Sequence, residues 1–347
     1  MESAESMADR KHDHLRIALE DHRVQRPGRG NGLERWHFEG QSLPELDLDQ
    51  IDTSTTLLGK RLRAPLLVGA MTGGTIQAGQ VNRILAEAAE RCGVGFCLGS
   101  QRPMLSYDLE QVSSFAVRDV APTTLLIGNI GAIQLRDHLS GADVDRLVHA
   151  VGADGAMIHL NPLQEAIQPE GDRDWRGVLD ALGEVAASAS VPVLVKEVGM
   201  GLSAHTLEHL RALGIAGVET AGVGGTSWSR IESLRHEQRT PQSIAGEVLA
   251  EFGIQTADSV VLARRLLSGR IVIASGGLRD GLQMAKCLAL GADACAMAWP
   301  FLRAAHEGVE AVMVEIEGII QTLRITQFLV GAPDLHQLAR TQLRRED

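Results

Sequence analysis

Residues 192–222 read PVLVKEVGMGLSAHTLEHLRALGIAGVETAG. An aliphatic run, PVLVKEV, is followed by an amphipathic stretch from Ser203 to Ala212, then by the tripeptide ALG at 212–214 and a second run, GVETAG, from Gly217. Strands buried on both faces lose their polar alternation, and parallel neighbours need a helical crossover, so this segment predicts one parallel βα unit leading into the next strand. The glycine that closes the helix is expected in the left-handed C-cap conformation.

Outward from this unit the same grammar recurs in both directions. Strand-like runs stand at Pro65–Ala70, Val94–Gly99, Thr124–Ile130, Gly155–Asn161, Pro192–Val198, Gly217–Gly222, Ile271–Gly277 and Ala294–Trp299. Helical stretches follow, among them Ala78–Arg91, Ser203–Ala212, Thr256–Leu267 and Arg279–Leu290, the last ending in a second ALG at 289–291. Eight βα units of one polarity predict an α/β fold, a (β/α)8 TIM barrel, with an open doubly wound sheet as the alternative. Two segments stand outside the repeat. Residues 1–63 read as an N-terminal arm and lead-in with a basic cluster (Arg10, Lys11, His12, His14) and a Pro/Gly turn at Pro27–Gly32, so the catalytic barrel is expected over 64–347. A long loop from Gly222 to Gln255 separates strand six from its helix, and long loops at that face of a barrel commonly act as lids.

The composition is consistent with this. The 347 residues are 44% hydrophobic but only 3% aromatic, with 37 glycines, which suits an aliphatic core and tight loops. A formal charge of -11 argues against nucleic acid or an anionic membrane as partner, while leaving room for a small anion in a locally basic pocket. The four cysteines, Cys92, Cys97, Cys287 and Cys295, form no C-x-x-C pair, so free thiols in a reducing, cytoplasmic setting are expected. No apolar run has the length of a membrane span, and the first residues contain no signal-like apolar segment.

Chemistry in a (β/α)8 barrel sits at the carboxyl ends of the strands, and there this chain is unusually polar. The ends carry Met71-Thr72-Gly73-Gly74, Ser100-Gln101-Arg102, Asn129, His159 with Asn161, Gln164 and Glu165, Lys196-Glu197, Gly224-Gly225-Thr226-Ser227, Ser275-Gly276-Gly277 and Ala298-Trp299. The Ser275-Gly276-Gly277 turn is expected to lead directly into a helix, so bare amides and a helix N-terminus can face an anion in the seventh unit, where barrels habitually hold phosphate. Lys196 lies in an apolar strand, so its ammonium should meet an anion: Glu197 or another carboxylate as a structural pair, or a ligand, with a Schiff base as a variant. Glu165 could hold a hard cation such as Mg²⁺ on a diphosphate, and His159 could donate to phosphate. Arg10 and Lys11 could fold over an anionic substrate.

These residues fall within motifs that resemble the flavin-dependent type 2 isopentenyl-diphosphate isomerases. The motifs are RKHDH (10–14), AMTGGT (70–75), GSQR (99–102), IGNIG (127–131), HLNPLQE (159–165), PEGD (169–172), KEVGMGLS (196–203), GGTSWSRIE (224–232), ASGGLRDG (274–281) and FLVGA (328–332). The resemblance implies FMN at the strand ends and interconversion of isopentenyl and dimethylallyl diphosphate, with Mg²⁺ and with NADPH as reductant of the flavin. It implies flavin contacts at Ala70, Met71, Thr72, Ser100, Asn129, Lys196, Thr226, Gly276, Gly277 and Ala298. Substrate contacts are implied at Arg10, Lys11, His159 and Gln164, the metal ligand at Glu165, and catalytic roles for Gln164, Glu165, His159 and Lys196. It also implies a homo-oligomer, tetramer or octamer. The chain departs from the family pattern at Trp299-Pro300, where a small residue is usual, which opens two readings for that ring: crowding the flavin phosphate or turning outward.

Three rival readings remain at this point. A nucleotide dehydrogenase or reductase of similar fold would need a nucleophilic cysteine in the loop after strand six, and no cysteine lies between Cys97 and Cys287. A hydroxy-acid oxidase or dehydrogenase on an FMN barrel needs a histidine base close to an arginine at the strand ends, and the loop after strand six begins AGVGGTSW without that pair. A catalytically silent flavin-binding protein would be expected to have lost Glu165, Gln164 or Lys196, and all three are present.

Overall fold

The computed structural model describes residues 4–20, 24, 28–106, 109–136, 139–236 and 238–346. Pro27, the first residue of the expected Pro/Gly turn, lies outside them. Eight parallel strands close into a barrel: β1 (Leu66–Val68), β2 (Gly95–Cys97), β3 (Leu126–Gly131), β4 (Gly155–Leu160), β5 (Val193–Glu197), β6 (Gly217–Glu219), β7 (Ile271–Ala274) and β8 (Ala294–Met297). Seven fall inside one of the eight runs read from the sequence and β3 extends one residue past its run, to Gly131; the open-sheet alternative is excluded by the β8 to β1 pairing of Cys295, Ala296 and Met297 with Leu66, Leu67 and Val68.

The helices that bear on the site are α1 (Ala4–Glu20), α2 (Ile76–Cys92), α3 (Pro162–Ile167), α4 (Ala204–Arg211), α5 (Trp228–Arg235), α6 (Pro241–Val248), α7 (Thr256–Leu266), α8 (Gly281–Ala289), α9 (Trp299–Ala305) and α10 (Val309–Leu329). Local sequence sets their ends. Thr75 caps α2 by accepting from the Ala78 amide, and Gly93 ends it at φ 69°. The same rule holds only half-way at the two ALG turns: Gly291 has φ 110°, but α4 passes through Ala212 in the right-handed region and Gly214 is not among the positive-φ glycines.

Period-two alternation divides the aliphatic residues between two cores. Val193 and Val195 face the helical layer with Phe96, Ile158, Val218 and Val272, while Leu194 faces the barrel interior with Leu67, Cys97, Ile127, Met157, Ile273 and Ala296. A hairpin of Thr55–Leu57 and Lys60–Leu62 adds Leu57 and Leu62 to the interior cluster. All four cysteines are buried free thiols. Among the described residues no helix is long and apolar enough to cross a membrane.

The two segments outside the repeat are ordered against each other. The N-terminal arm contains a 17-residue helix, which the basic cluster did not announce: α1 packs Ile17 and Ala18 with Val24 against Ile231 of α5 and Leu302 of α9. The loop after β6 contains α5 and α6, so the arm and the long loop form one layer at the carboxyl ends of the strands. Trp36–His37 then pairs antiparallel with Arg344–Arg345 near the other terminus.

Candidate active site

The interior alternation that packs the barrel also builds the site. Asn129, His159, Lys196, Ser275 and Ala298 each stand two positions beyond an interior core residue: Ile127, Met157, Leu194, Ile273 and Ala296. They therefore point into a cleft at the carboxyl ends of the strands, as do Ala70, Met71, Thr72 and Ser100 beyond β1 and β2. Thr226, Gly276 and Gly277 line it from the loops after β6 and β7, and Arg10, Lys11, Gln164 and Glu165 from α1 and α3. Every site residue expected from the sequence is thus brought to one cleft.

His159 and Asn129 are linked. The His159 Nδ1 lies 2.7 Å from Asn129 Oδ1, which as an oxygen accepts, so this nitrogen carries the proton in the neutral ring. Burial, reinforced by the positive charges of Lys196, Lys11 and Arg102, lowers the His159 pKa to about 3. An uncharged His159 with a protonated Nδ1 holds a lone pair on Nε2, so donation to a phosphate from Nε2 requires the phosphate's own charge to bring a second proton onto the ring.

Beyond β4 the chain turns at Asn161 and enters α3 through Pro162, the helix position that tolerates a missing N–H. One turn of helix then sets Asn161, Gln164 and Glu165 side by side. Glu165 is buried, accepting from Asn161 Nδ2 at 3.0 Å and from the Asp172 amide at 2.8 Å. Burial raises its pKa, although these two donors and Arg102 work in the opposite direction. Asn161 Oδ1 is buried beside it without a hydrogen-bond partner among the described residues. Among the described residues no group of three or more His, Cys, Asp and Glu could hold a metal by itself. The donor set here, one carboxylate with a neighbouring amide oxygen, suits a hard cation that takes its remaining ligands from water and phosphate.

A buried network joins α3 to the arm. Glu232 of α5, wholly shielded from solvent, accepts through Oε1 from Gln164 Nε2 at 2.8 Å and from His14 Nε2 at 2.9 Å. Its Oε2 accepts from Arg235 Nη1 at 2.7 Å. Burial alone would raise the Glu232 pKa, but His14, Arg235 and Gln164 outweigh it and hold the carboxylate ionised. Arg235 also pairs with Glu170 at 3.1 Å, and Glu170 stands 3.7 Å from Arg10 Nη1. Gln168, with its amide oriented to donate to Glu232 (3.3 Å), accepts from Arg10 at 3.0 Å. The Arg10 guanidinium is therefore held in the cleft rather than left as a solvated charge.

Lys196 corrects part of the sequence reading. Its Nζ donates to the Glu197 backbone oxygen at 2.6 Å, and its carboxylate neighbour is Glu219 at 3.7 Å. The Glu197 carboxylate instead accepts from the amides of Val198 (2.6 Å), Gly199 (2.5 Å) and Met200. Even so, burial dominates and pushes the Glu197 pKa up to about 7.

The Ser275-Gly276-Gly277 turn does not enter its helix at once. Helix α8 starts at Gly281, and Asp280 caps it by accepting from the Gln283 amide, so its own carboxylate occupies that N-terminus. What the turn offers a phosphate is backbone close to the cleft: Gly276 and Gly277 have φ 109° and 75°, and a Cβ on either would run into the carbonyl oxygens of Gly222 and Gly224. Asn31 of the arm braces the turn by donating to Gly277 O at 3.0 Å. The ring of Trp299 lies 4.5 Å from the Arg279 guanidinium and 5.2 Å from that of Arg303, so this side chain is stacked between arginines at the cleft edge. That resolves it as an arginine platform. The cleft also buries Thr72 Oγ1 without a hydrogen-bond partner among the described residues, and these features together fit a phosphate-bearing cofactor with polar ring edges.

Some strand-end residues have structural work instead. Gln101 is buried, bonding Leu147 O and the Asn129 amide, and Ser227 caps α5. Sequence reasoning missed His14, Gln168, Glu219, Glu232, Arg235 and Arg279 as members of the site or its support. An acidic residue inside the apolar run GVETAG was the available signal for Glu219; the Glu232 contacts, 218 residues apart for His14, had none.

Comparison with known proteins accords with this geometry. A model of the FMN-dependent dehydrogenase family matches residues 5–125 and 159–345, which defines the class as an FMN-type barrel. The isopentenyl-diphosphate delta-isomerase of Stutzerimonas stutzeri is 43% identical over 341 residues, covering 98% of each chain. Those of Synechococcus sp. and Rickettsia felis are 44% and 40% identical, covering 96% and 97% of this chain and 95% and 96% of theirs. The chain belongs to the isopentenyl-diphosphate delta-isomerase family. Among solved structures, mandelate oxidase with (S)-2-phenylpropionate superposes with a TM-score of 0.65 at 17% identity over 99% of both chains, a likeness of fold.

Proposed function

We infer that this chain is a flavoenzyme that interconverts isopentenyl and dimethylallyl diphosphate by an allylic proton shift on reduced FMN, with Mg²⁺. The observation that carries the reading is that near-full-length relatives at 40–44% identity are isomerases of this name. The oxidase and silent-protein readings have no comparable support.

Bound and reduced, FMN supplies the acid and base that add a proton at one carbon and remove one from another with no net oxidation. The residues of this chain bind and orient. Ala70, Met71, Thr72, Ser100, Asn129, Lys196, Thr226, Gly276, Gly277 and Ala298 hold the flavin. Arg10 and Lys11 would close over the diphosphate from α1, with His159 and Gln164 beside them, and Glu165 would hold the Mg²⁺ that neutralises the diphosphate charge. Anchoring the charged end in this way fixes the apolar tail for proton transfer. The buried, ionised Glu232 keeps Gln164 in place; its contact with His14 registers the arm against the same helix.

NADPH is the proposed reductant, residues 1–63 an arm on the catalytic unit 64–347, and the partner a small prenyl diphosphate rather than nucleic acid or membrane. The four buried thiols favour a reducing cytoplasm. A homo-oligomer, tetramer or octamer, completes the proposed reading. The test is an anaerobic assay with FMN, NADPH, Mg²⁺ and isopentenyl diphosphate, run with oxidised and reduced flavin. Dimethylallyl diphosphate formed only with reduced flavin supports the reading; a flavin-loaded protein that makes none returns the oxidase and silent-protein alternatives.

A further inference from the structure

The floor of the cleft holds one acidic side chain that the roles above leave unused. Glu219 is the last residue of β6, in register with Lys196 on β5 and with Ile273 on β7. It is 3% exposed and lines the cleft. Its Oε1 accepts from Ser275 Oγ at 2.7 Å and stands 3.7 Å from Lys196 Nζ, while Oε2 is buried without a hydrogen-bond partner among the described residues. Ser275 Oγ in turn accepts from the Ala221 amide at 3.0 Å, and Ala221 holds a left-handed φ of 39° that residues with a Cβ rarely adopt. The carboxylate thus sits where the ammonium on β5, the turn after β7 and a strained backbone after β6 meet.

Packing alone does not require a carboxylate there. The interior layer below is aliphatic, formed by Leu194, Ile273 and Ala296, and exchanging a buried ion pair for apolar residues of similar volume is commonly neutral or stabilising. The other groups near Lys196 do not replace Glu219. His159, in register with Lys196 on β4, is held uncharged, burial keeps the Cys97 thiol protonated, and the Glu197 carboxylate is turned to backbone amides. Lys11 and Arg102 add only positive charge to this region. Glu219 is the carboxylate that opposes the lysine.

We propose that Glu219 is a positioning residue that fixes Lys196 at the cleft floor and, by cancelling part of its field, sets the proton affinity of the reduced flavin ring. The inference rests on the reading that FMN occupies this cleft. A group some ångströms away senses the pair as a dipole instead of a full positive charge. Without the carboxylate, the uncompensated ammonium favours the deprotonated, anionic ring, whose proton then leaves to solvent more readily. A ring that holds its proton less tightly at working pH is a poorer acid reservoir for a reaction that begins by protonating a carbon.

The experiment loads full-length wild-type, Glu219→Gln and Glu219→Asp proteins with FMN, reduces them anaerobically with dithionite, and titrates the reduced-flavin absorbance across the neutral range. The expected result is a proton affinity about tenfold or more lower in Glu219→Gln, with Glu219→Asp between it and wild type. In the same proteins kcat falls in Glu219→Gln while KM for the diphosphate substrate stays, because the diphosphate contacts, Arg10 and Lys11 on α1, His159 on β4 and Gln164 on α3, lie outside the contact that Glu219 makes with Ser275 and Lys196. Wild-type titration in a flavin-loaded Glu219→Gln protein overturns the proposal, as does a KM change with an unaltered titration. Should Glu219→Gln fail to fold, Glu219→Asp decides: its carboxylate is one methylene short of Lys196, and an unshifted titration overturns the idea. A wild-type protein that retains no FMN defeats the cofactor reading itself, and this proposal with it.

Discussion

His14 and Glu232 meet in a 2.9 Å hydrogen bond across 218 residues of chain, joining the N-terminal helix to the loop that follows the sixth barrel strand. The same Glu232 oxygen receives Gln164 at 2.8 Å, so docking of the arm and placement of a proposed substrate contact depend on one buried atom.

Removing that carboxylate is expected to undo both. Glu232→Ala leaves Arg235 and His14 without their buried partner and should cost about 3 to 5 kcal/mol, read as a lower midpoint in urea. Glu232→Gln, milder in stability, should still raise KM for the diphosphate and speed tryptic cleavage at the exposed Arg16 of α1. Unchanged KM with unchanged cleavage would separate the arm from the site.

Glu165→Gln should leave FMN binding intact and lower kcat/KM by about a hundredfold or more, because the metal contact that anchors the unreacting diphosphate and so orients the tail is lost. Because burial raises the Glu165 pKa, the protonated, metal-incompetent form appears at a higher pH than for an ordinary glutamate. Mg²⁺ affinity in the wild type should therefore weaken on acidification from above the usual carboxylate range, and a Mg²⁺ titration at several pH values measures it. An affinity indifferent to pH would remove Glu165 as the ligand.

The buried Glu197 predicts a slope in stability. Its folded pKa, about 7, is raised above the value of 4.5 for the free side chain, so folding takes up a proton between them. The stability it contributes is full below the lower value and is lost as pH rises through the upper one, about 3 kcal/mol in all. Glu197→Gln, which keeps an acceptor for the three amides, should flatten this part of the denaturation profile; the same slope in both proteins would assign it to other groups.

Gly277→Ala should weaken FMN retention on gel filtration and lower stability by about 2 kcal/mol or more. Its φ of 75° disfavours any Cβ, and the added carbon meets the Gly224 carbonyl oxygen. Full flavin occupancy with wild-type melting would show that the turn can give.

The barrel was readable because each strand announced itself twice, as an aliphatic run and by the glycine or helix that followed. The cleft was readable for a related reason: Lys196 two positions after Leu194, and His159 two after Met157, had to face the interior once the period of a strand was granted. The partner of Lys196 was not, because registry between β5 and β6 decides it, and the sequence left Glu197, another carboxylate and a ligand all open. The arm helix was hidden by its polar residues, since only its packing on Ile231 and Leu302 reveals an apolar face. The start of α8 moved two residues because Asp280, rather than the glycine turn, supplies the cap.

The central claim is a double-bond shift without net redox change, and the most direct measurement is product formed per NADPH consumed. With FMN-loaded protein, Mg²⁺, excess isopentenyl diphosphate and a limiting amount of NADPH under nitrogen, dimethylallyl diphosphate should accumulate many times over the NADPH oxidised. In deuterated solvent it should carry deuterium from the proton exchange. Product that stops at one equivalent per NADPH, or none from a fully reduced flavoprotein, would contradict the account.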